Sequence, residues 1–109
     1  MATFDRLEPD GLYHLATSAE WVRYQATGQI APPSLETEGF VHCSWGRQVP
    51  ATVAKHFAGI TDLLALRLDP AQLDAGDLVE EDSYGSGQRF PHLYRAAPLT
   101  AVIEVSVHD

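Results

Sequence analysis

Two apolar spacings alternate along the chain, separated by breakers. Residues 11–17, GLYHLAT, follow the breaker EPDG and have strand composition, with Leu12, His14 and Ala16 on one face and Tyr13, Leu15 and Thr17 on the other. Ser18 is placed to cap a helix over residues 19–27, with Glu20 in the first turn, Trp21, Val22, Tyr24 and Ala26 along it, and Gly28 as its stop. Residues 29–38 contain Pro32-Pro33 and read as a loop. Residues 39–44, GFVHCS, predict a second strand, with Phe40, His42 and Ser44 sharing one face and Val41, Cys43 and Trp45 the other. Pro50 suits the first turn of a helix to about residue 58, with Val49, Val53 and Phe57 on one face and Gly59 as its end.

The second half continues the alternation. Residues 62–68, DLLALRL, are nearly all apolar except Arg67, the pattern of a central strand covered on both sides. Asp69-Pro70 breaks it, residues 71–73 predict a helical turn, and residues 77–82, DLVEED, a shorter exposed strand. Residues 83–89, SYGSGQR, form a loop by composition, and Pro91 makes FPHLY at 90–94 a short edge strand or turn. The last strand covers residues 101–107, with Ala101, Ile103, Val105 and Val107 on one face. No repeat or linker interrupts this order, so the expected architecture is α+β, one domain over residues 1–109.

Composition narrows the partners. The net charge is -8, from 7 Lys+Arg against 15 Asp+Glu, and Lys55 is the one lysine, a balance that disfavours nucleic acid. Cys43 has no second cysteine with which to pair, which points to a reducing, cytoplasmic setting. No run of about 18 apolar residues occurs, and the acidic start MATFDRLEPDG lacks the basic and apolar parts of a signal peptide, so membrane insertion and secretion are not expected.

Five histidines are the unusual feature. His14, His42 and His92 occupy positions where an apolar residue would pack better, and burying an imidazole without hydrogen-bond partners costs roughly 1–3 kcal/mol. Each alone reads equally well as a hydrogen-bonded core histidine. Together they suggest one cleft, supplying donors and acceptors near neutral pH. His56, on an amphipathic helix, and His108, near the end of the chain, read as solvated.

Other chemistries remain open on residues alone. Three imidazoles and a water make a zinc site, but no short HxH or HxxxH pair is present. His42-Cys43-Ser44 resembles half of the paired H-x-T/S signature of two-histidine phosphoesterases, whereas the hydroxyl near His14 comes one position too late, at Thr17. Adjacent strand residues face apart, so His42 is poorly placed to activate Cys43, and a small buried thiol is the better reading. Of the acidic run Glu80, Glu81 and Asp82, one residue can face the cleft. Arg47, Arg89 and Arg95 are the nearby cations, with Arg89 best placed for a phosphate at the end of a Gly/Ser loop. Trp21, Trp45, Tyr13, Tyr84, Phe90 and Tyr94 offer ring surfaces, and for Trp21 ordinary packing is the better reading.

The segments LYHLAT with Trp21 after it, SLETEGFVHCSWGRQV, DLLALRLD and RFPHLYRAAPLTAV, in this order, resemble the small bacterial family DUF952. Arg95 stands where that family usually has Gly after its FPH-I/L-Y motif. The resemblance implies a fold like that of ADP-ribosyltransferases, a split pair of small antiparallel sheets with two or three short helices that clasps NAD between the sheets. Within that group the chain is most similar to RNA 2′-phosphotransferases, whose first two strand signatures carry histidine. On that comparison His14 holds the ribose hydroxyls, His42 takes the place of an aromatic residue, and His92 forms the third side of the cleft, with Glu81 in reserve for the usual catalytic Glu. Tyr13, Thr17, Ser44, Trp45, Arg89, Phe90 and Tyr94 are the candidate cofactor contacts. The implied chemistry is cleavage of the nicotinamide glycosidic bond through an oxocarbenium-like state. A small-molecule or protein acceptor suits the acidic chain better than RNA. A non-catalytic metabolite-binding domain and a histidine-based metal or phosphoesterase-type hydrolase are the competing expectations.

Overall fold

The computed structural model describes residues 2–82 and 85–108. In chain order its elements are β1 (Ala2–Thr3), β2 (Leu12–Thr17), α1 (Ser18–Thr27), β3 (Gln29–Ile30), α2 (Ser34–Thr37), β4 (Val41–His42), β5 (Ser44–Trp45), α3 (Val49–His56), β6 (Leu63–Leu68), β7 (Leu78–Glu81), β8 (Phe90–Leu93), β9 (Ala97–Pro98) and β10 (Val102–Val107), joined in part by short 3-10 turns.

The continuous apolar run of β6 makes it the middle of the larger sheet, ordered β1-β10-β6-β2-β5. Its alternation divides the core. Leu66 and Leu68 face a cluster with Leu12, Ala16, Tyr24 and Leu93, while Leu63 and Ala65 face another with Tyr13, Leu15 and Val49. A second sheet has the order β4-β8-β7, and β3 pairs with β9. The fold is therefore α+β, as expected, but with three sheets rather than a pair, and β1 runs parallel to β10.

Helix α1 starts one residue before its expected first residue. Thr17, not Ser18, is the N-cap: its hydroxyl accepts the Glu20 N–H, and the Glu20 carboxylate accepts the Thr17 N–H at 2.9 Å. This capping box satisfies two donors that the first turn leaves open. Thr17→Ala is expected to cost about 1 kcal/mol of stability; an unchanged denaturation midpoint would show that the cap contributes nothing. Gly28 stops the helix at φ 78°, a conformation that favours glycine.

Four other expectations are corrected. Residues 29–38, expected as loop, contain β3 and α2. The single strand expected over residues 39–44 divides at Cys43: β4 pairs with β8, whereas β5 pairs with β2 in the other sheet. FPHLY is not at an edge, because β8 is the middle strand of its sheet; β4 ends opposite His92, and the Pro91 carbonyl accepts the Cys43 N–H at 3.1 Å. A bulge between Val102 and Glu104 breaks the alternation of β10, leaving Ile103 exposed while Val102 and Val105 pack on the core. Among the described residues no helix is long and apolar enough to cross a membrane.

Candidate functional site

The division at Cys43 also opens the site. Strand β5 pairs only with Leu12 and Tyr13 of β2, so among the described residues no strand pairs with β2 on that side from His14 onward. A cavity of about 420 Å³ lies there. His14 of β2, His42 of β4 and His92 of β8 all line it, together with Cys43 and Ser44 from the crossing and Phe90 from β8. Helix α3 contributes Ala51, Thr52, Lys55 and His56, followed by Phe57, and Pro32 and Pro33 before α2 and Ser34 at its start complete this side. The volume falls within the range of small-molecule sites.

His14 is held from both sides. Its Nδ1 lies 2.8 Å from the His42 carbonyl, which can only accept, so Nδ1 carries the proton. Nε2, 3.0 Å from the Tyr24 hydroxyl, then accepts from it. Burial pushes the His14 imidazole below its ordinary value, outweighing the help of the His42 carbonyl, and the ring is neutral at pH 7. Burial likewise raises the Tyr24 phenol. A ligand can bond to a His14 nitrogen only by displacing one of these partners.

His92 differs in its free valence. Its ring stacks on Phe40 with centroids 3.9 Å apart and planes at 8°, and its Nδ1 meets the Glu81 carboxylate at 3.0 Å. Tyr94 donates its hydroxyl to the same carboxylate oxygen. The Tyr94 hydroxyl, and after it the His92 ring, hold the Glu81 carboxyl below the usual range, while that carboxylate raises the Tyr94 phenol. Because a carboxylate only accepts, Nδ1 carries the proton. Nε2 has no partner among the described residues and is not sealed off, although His92 as a whole is 1% exposed. His42 stands edge-on to His92, centroids 5.6 Å apart, and its Nε2 donates to Glu38 at 2.9 Å.

The family model for proteins of unknown function DUF952 matches residues 15–105. The chain belongs to the DUF952 family. It is similar to CC0527 of Caulobacter crescentus, whose crystal structure shares 35% identity at a TM-score of 0.78, covering 88% of this chain and 83% of that one. The solution NMR structure of CC0527 gives 34% identity and a TM-score of 0.76, over 90% of this chain and 84% of that one. No curated protein matches it.

In this DUF952 chain the sequence candidates sort into distinct positions. His14, His42, His92, Ser44 and Phe90 meet at the cavity. Tyr13 faces the other core cluster, its hydroxyl accepting the Glu8 N–H at 2.9 Å, and Thr17 is the helix cap. Trp45 packs beside the first core cluster and donates from its indole to Glu80 at 2.8 Å. Glu81 and Tyr94 stand behind His92, outside the cavity wall. Arg89 does not line the cavity; its carbonyl accepts from Gln48 at 2.7 Å. Arg47 and Arg95 are paired with Asp10 and Asp77. Tyr84 lies outside the described residues. Cys43 is buried, as expected, and its thiol is pushed up to about 12 by desolvation. Among the described residues, no group of three or more His, Cys, Asp or Glu side chains is arranged to hold a metal.

Of the two histidines expected in solvent, His56 is exposed and also lines the cavity, whereas His108 is half-buried, its ring edge-on against Phe4 with centroids 4.9 Å apart. The sequence reading missed Tyr24 as the partner of His14 and Phe40 as the platform under His92. Tyr24 had a signal, since it lies three positions after Trp21 and both side chains pack on the same core cluster. Lys55 and His56 had one as well: they lie four positions beyond Ala51 and Thr52, one helical turn along α3.

Proposed function

We propose that the cleft binds a small metabolite with a flat ring and hydroxyl groups, and that the nicotinamide riboside end of NAD is its occupant, with ADP-ribosyl transfer to a small-molecule or protein acceptor as the reaction. The observation carrying this reading is the convergence of His14, His42 and His92 on one cavity. Its volume suits the nicotinamide riboside end rather than the whole dinucleotide, leaving the remainder to extend outward. Phe90, Phe57, Pro32 and Pro33 supply apolar surface for a ring, Ser44, Thr52 and Gln88 supply groups for hydroxyls and an amide, and Lys55 and His56 carry the nearest basic groups for a phosphate. Bound there, the nucleotide supplies a glycosidic carbon whose pyridinium leaving group departs neutral. The chain's part is to orient the ribose and exclude water. The comparison with ADP-ribosyltransferases draws support from sheets that part around histidines on β2 and β4. The acidic balance argues against RNA as acceptor, and the lone buried Cys43 suits a reducing cytoplasm.

One observation favours binding without turnover. Among the described residues, the only carboxylate in the cavity wall is Glu20, which the capping box already engages. Calorimetric titration with NAD and an assay for nicotinamide release separate the two readings. We expect saturable binding below millimolar concentration together with release. Binding without release would leave the metabolite-binding domain, and absence of binding at millimolar NAD would end the nucleotide reading.

A further inference from the structure

We propose that His92 is the general base of the cavity, with Nε2 as the proton-accepting atom, and that Glu81 and Tyr94 are its positioning residues. A base needs an accessible lone pair, a fixed tautomer and a partner for the charge it acquires. His92 has all three. Nε2 is the ring's open polar atom in a side chain otherwise buried at the cavity wall. The Glu81 carboxylate holds the proton on Nδ1 at 3.0 Å and compensates the imidazolium that forms. Tyr94 fixes that carboxylate from the other side, and the Phe40 ring stacked 3.9 Å away keeps the imidazole from swinging. The groups facing His92 are Glu81 from β7, His42 with its Glu38 partner from β4, and Tyr94 through Glu81. His14 has no comparable atom, since both its nitrogens are engaged.

The inference deepens the nucleotide reading by giving the step its proton acceptor, and it rests on that reading for the substrate alone. The acceptor's O–H bond breaks and its proton moves to Nε2. The oxygen forms a bond to the glycosidic carbon, and the carbon–nitrogen bond breaks with its electron pair passing to the pyridinium, which leaves neutral. No acid is needed for this leaving group.

Long-range proton–nitrogen NMR on the labelled chain reads the tautomer directly. We expect the neutral His92 ring to be protonated at Nδ1 and bare at Nε2 in the wild type; an Nε2–H ring would overturn the proposal. Diethylpyrocarbonate, which acylates bare imidazole nitrogen, tests reactivity with no nucleotide present. Glu81 is 37% exposed as a side chain, so Glu81→Gln tests its role without opening the core. His92 acylation at neutral pH should slow about tenfold in Glu81→Gln and less in Tyr94→Phe, and equal rates in all three proteins would sink the idea. With NAD bound, nicotinamide release should fall about 100-fold in kcat for Glu81→Gln with KM little changed. Equal release from the two proteins would overturn the role of His92 toward this substrate. A chain that fails to bind NAD yet shows the expected tautomer and acylation pattern would lose the nucleotide reading and keep His92 as the base.

Discussion

Gly46→Ala is expected to destabilise the fold by at least about 3 kcal/mol, well beyond the usual cost of an added methyl group. A Cβ at Gly46 would lie 1.8 Å from the Glu8 carbonyl oxygen and 2.7 Å from its carbon, and both are backbone atoms that no side-chain rotation can move. The two segments are also bound together there. The Gly46 N–H donates to the Gly11 carbonyl at 2.9 Å, and the Arg47 N–H to the Pro9 carbonyl at 3.1 Å. Relieving the clash therefore separates the turn before β2 from the end of β5. Against a total stability of about 5–15 kcal/mol, that loss unfolds a substantial fraction of the chain on mild heating. Ser44 of the cavity wall lies two residues before Gly46, so the wall is disturbed as well. Gly76→Ala is the control: its Cβ meets nothing within 4 Å, and its φ is not positive. Urea denaturation of both variants checks the expectation, which fails if Gly46→Ala costs no more than Gly76→Ala.

Much of the larger sheet was legible because its signals are local. Alternation in LYHLAT, the apolar run LLALRL and the glycine stop at Gly28 each report on the backbone that carries them, and β2, β6 and α1 follow. The division at Cys43 was not legible, because alternation persists through FVHCSW while the pairing partner changes from β8 to β2. Such an exchange is decided by strands far away in sequence. Pro91 misled for the same reason: a missing N–H argues against a central strand only where a neighbour needs it, and β4 stops one residue short. The two-residue pairing of β3 with β9 has no local pattern at all.

The site was legible as a convergence of His14, His42 and His92, but not as a division of labour. Their chemistry is set by partners on other elements: Tyr24 on α1 for His14, and Glu81 on β7 for His92. Alternation placed His14 on the face of Leu12 and Ala16 without showing that α1 delivers a hydroxyl to it. Of the candidate contacts that fall outside the wall, Tyr13 and Thr17 sit on the opposite face of β2 from His14. His56 is exposed, as its helical spacing indicates, but that spacing does not show that a cleft lies beside it.

His14→Ala is expected to cost about 3–5 kcal/mol of stability, because it removes a buried ring and strands two partners. Truncation of a buried side chain of this size leaves a cavity whose cost is about 2–5 kcal/mol. The Tyr24 hydroxyl, inside the core, loses its acceptor, and the His42 carbonyl loses its donor; each unsatisfied buried group adds about 1–3 kcal/mol where water cannot replace the partner. The adjoining cavity admits some water, which keeps the total below the simple sum. Tyr24→Phe removes only the hydroxyl and should cost about 1–2 kcal/mol. The same residue gives the fold a pH dependence. Burial holds the folded His14 below 6.5, so as pH falls beneath 6.5 the unfolded chain takes up a proton that the folded chain refuses. The stabilisation is complete above 6.5 and is lost as pH drops through the lower folded value, with a slope of at most about 1.4 kcal/mol per pH unit. His14→Gln cannot titrate, so its stability should fall less steeply than that of the wild type between pH 6.5 and 5. Parallel curves for the two proteins over that interval would show that His14 is not excluded from protonation by the fold.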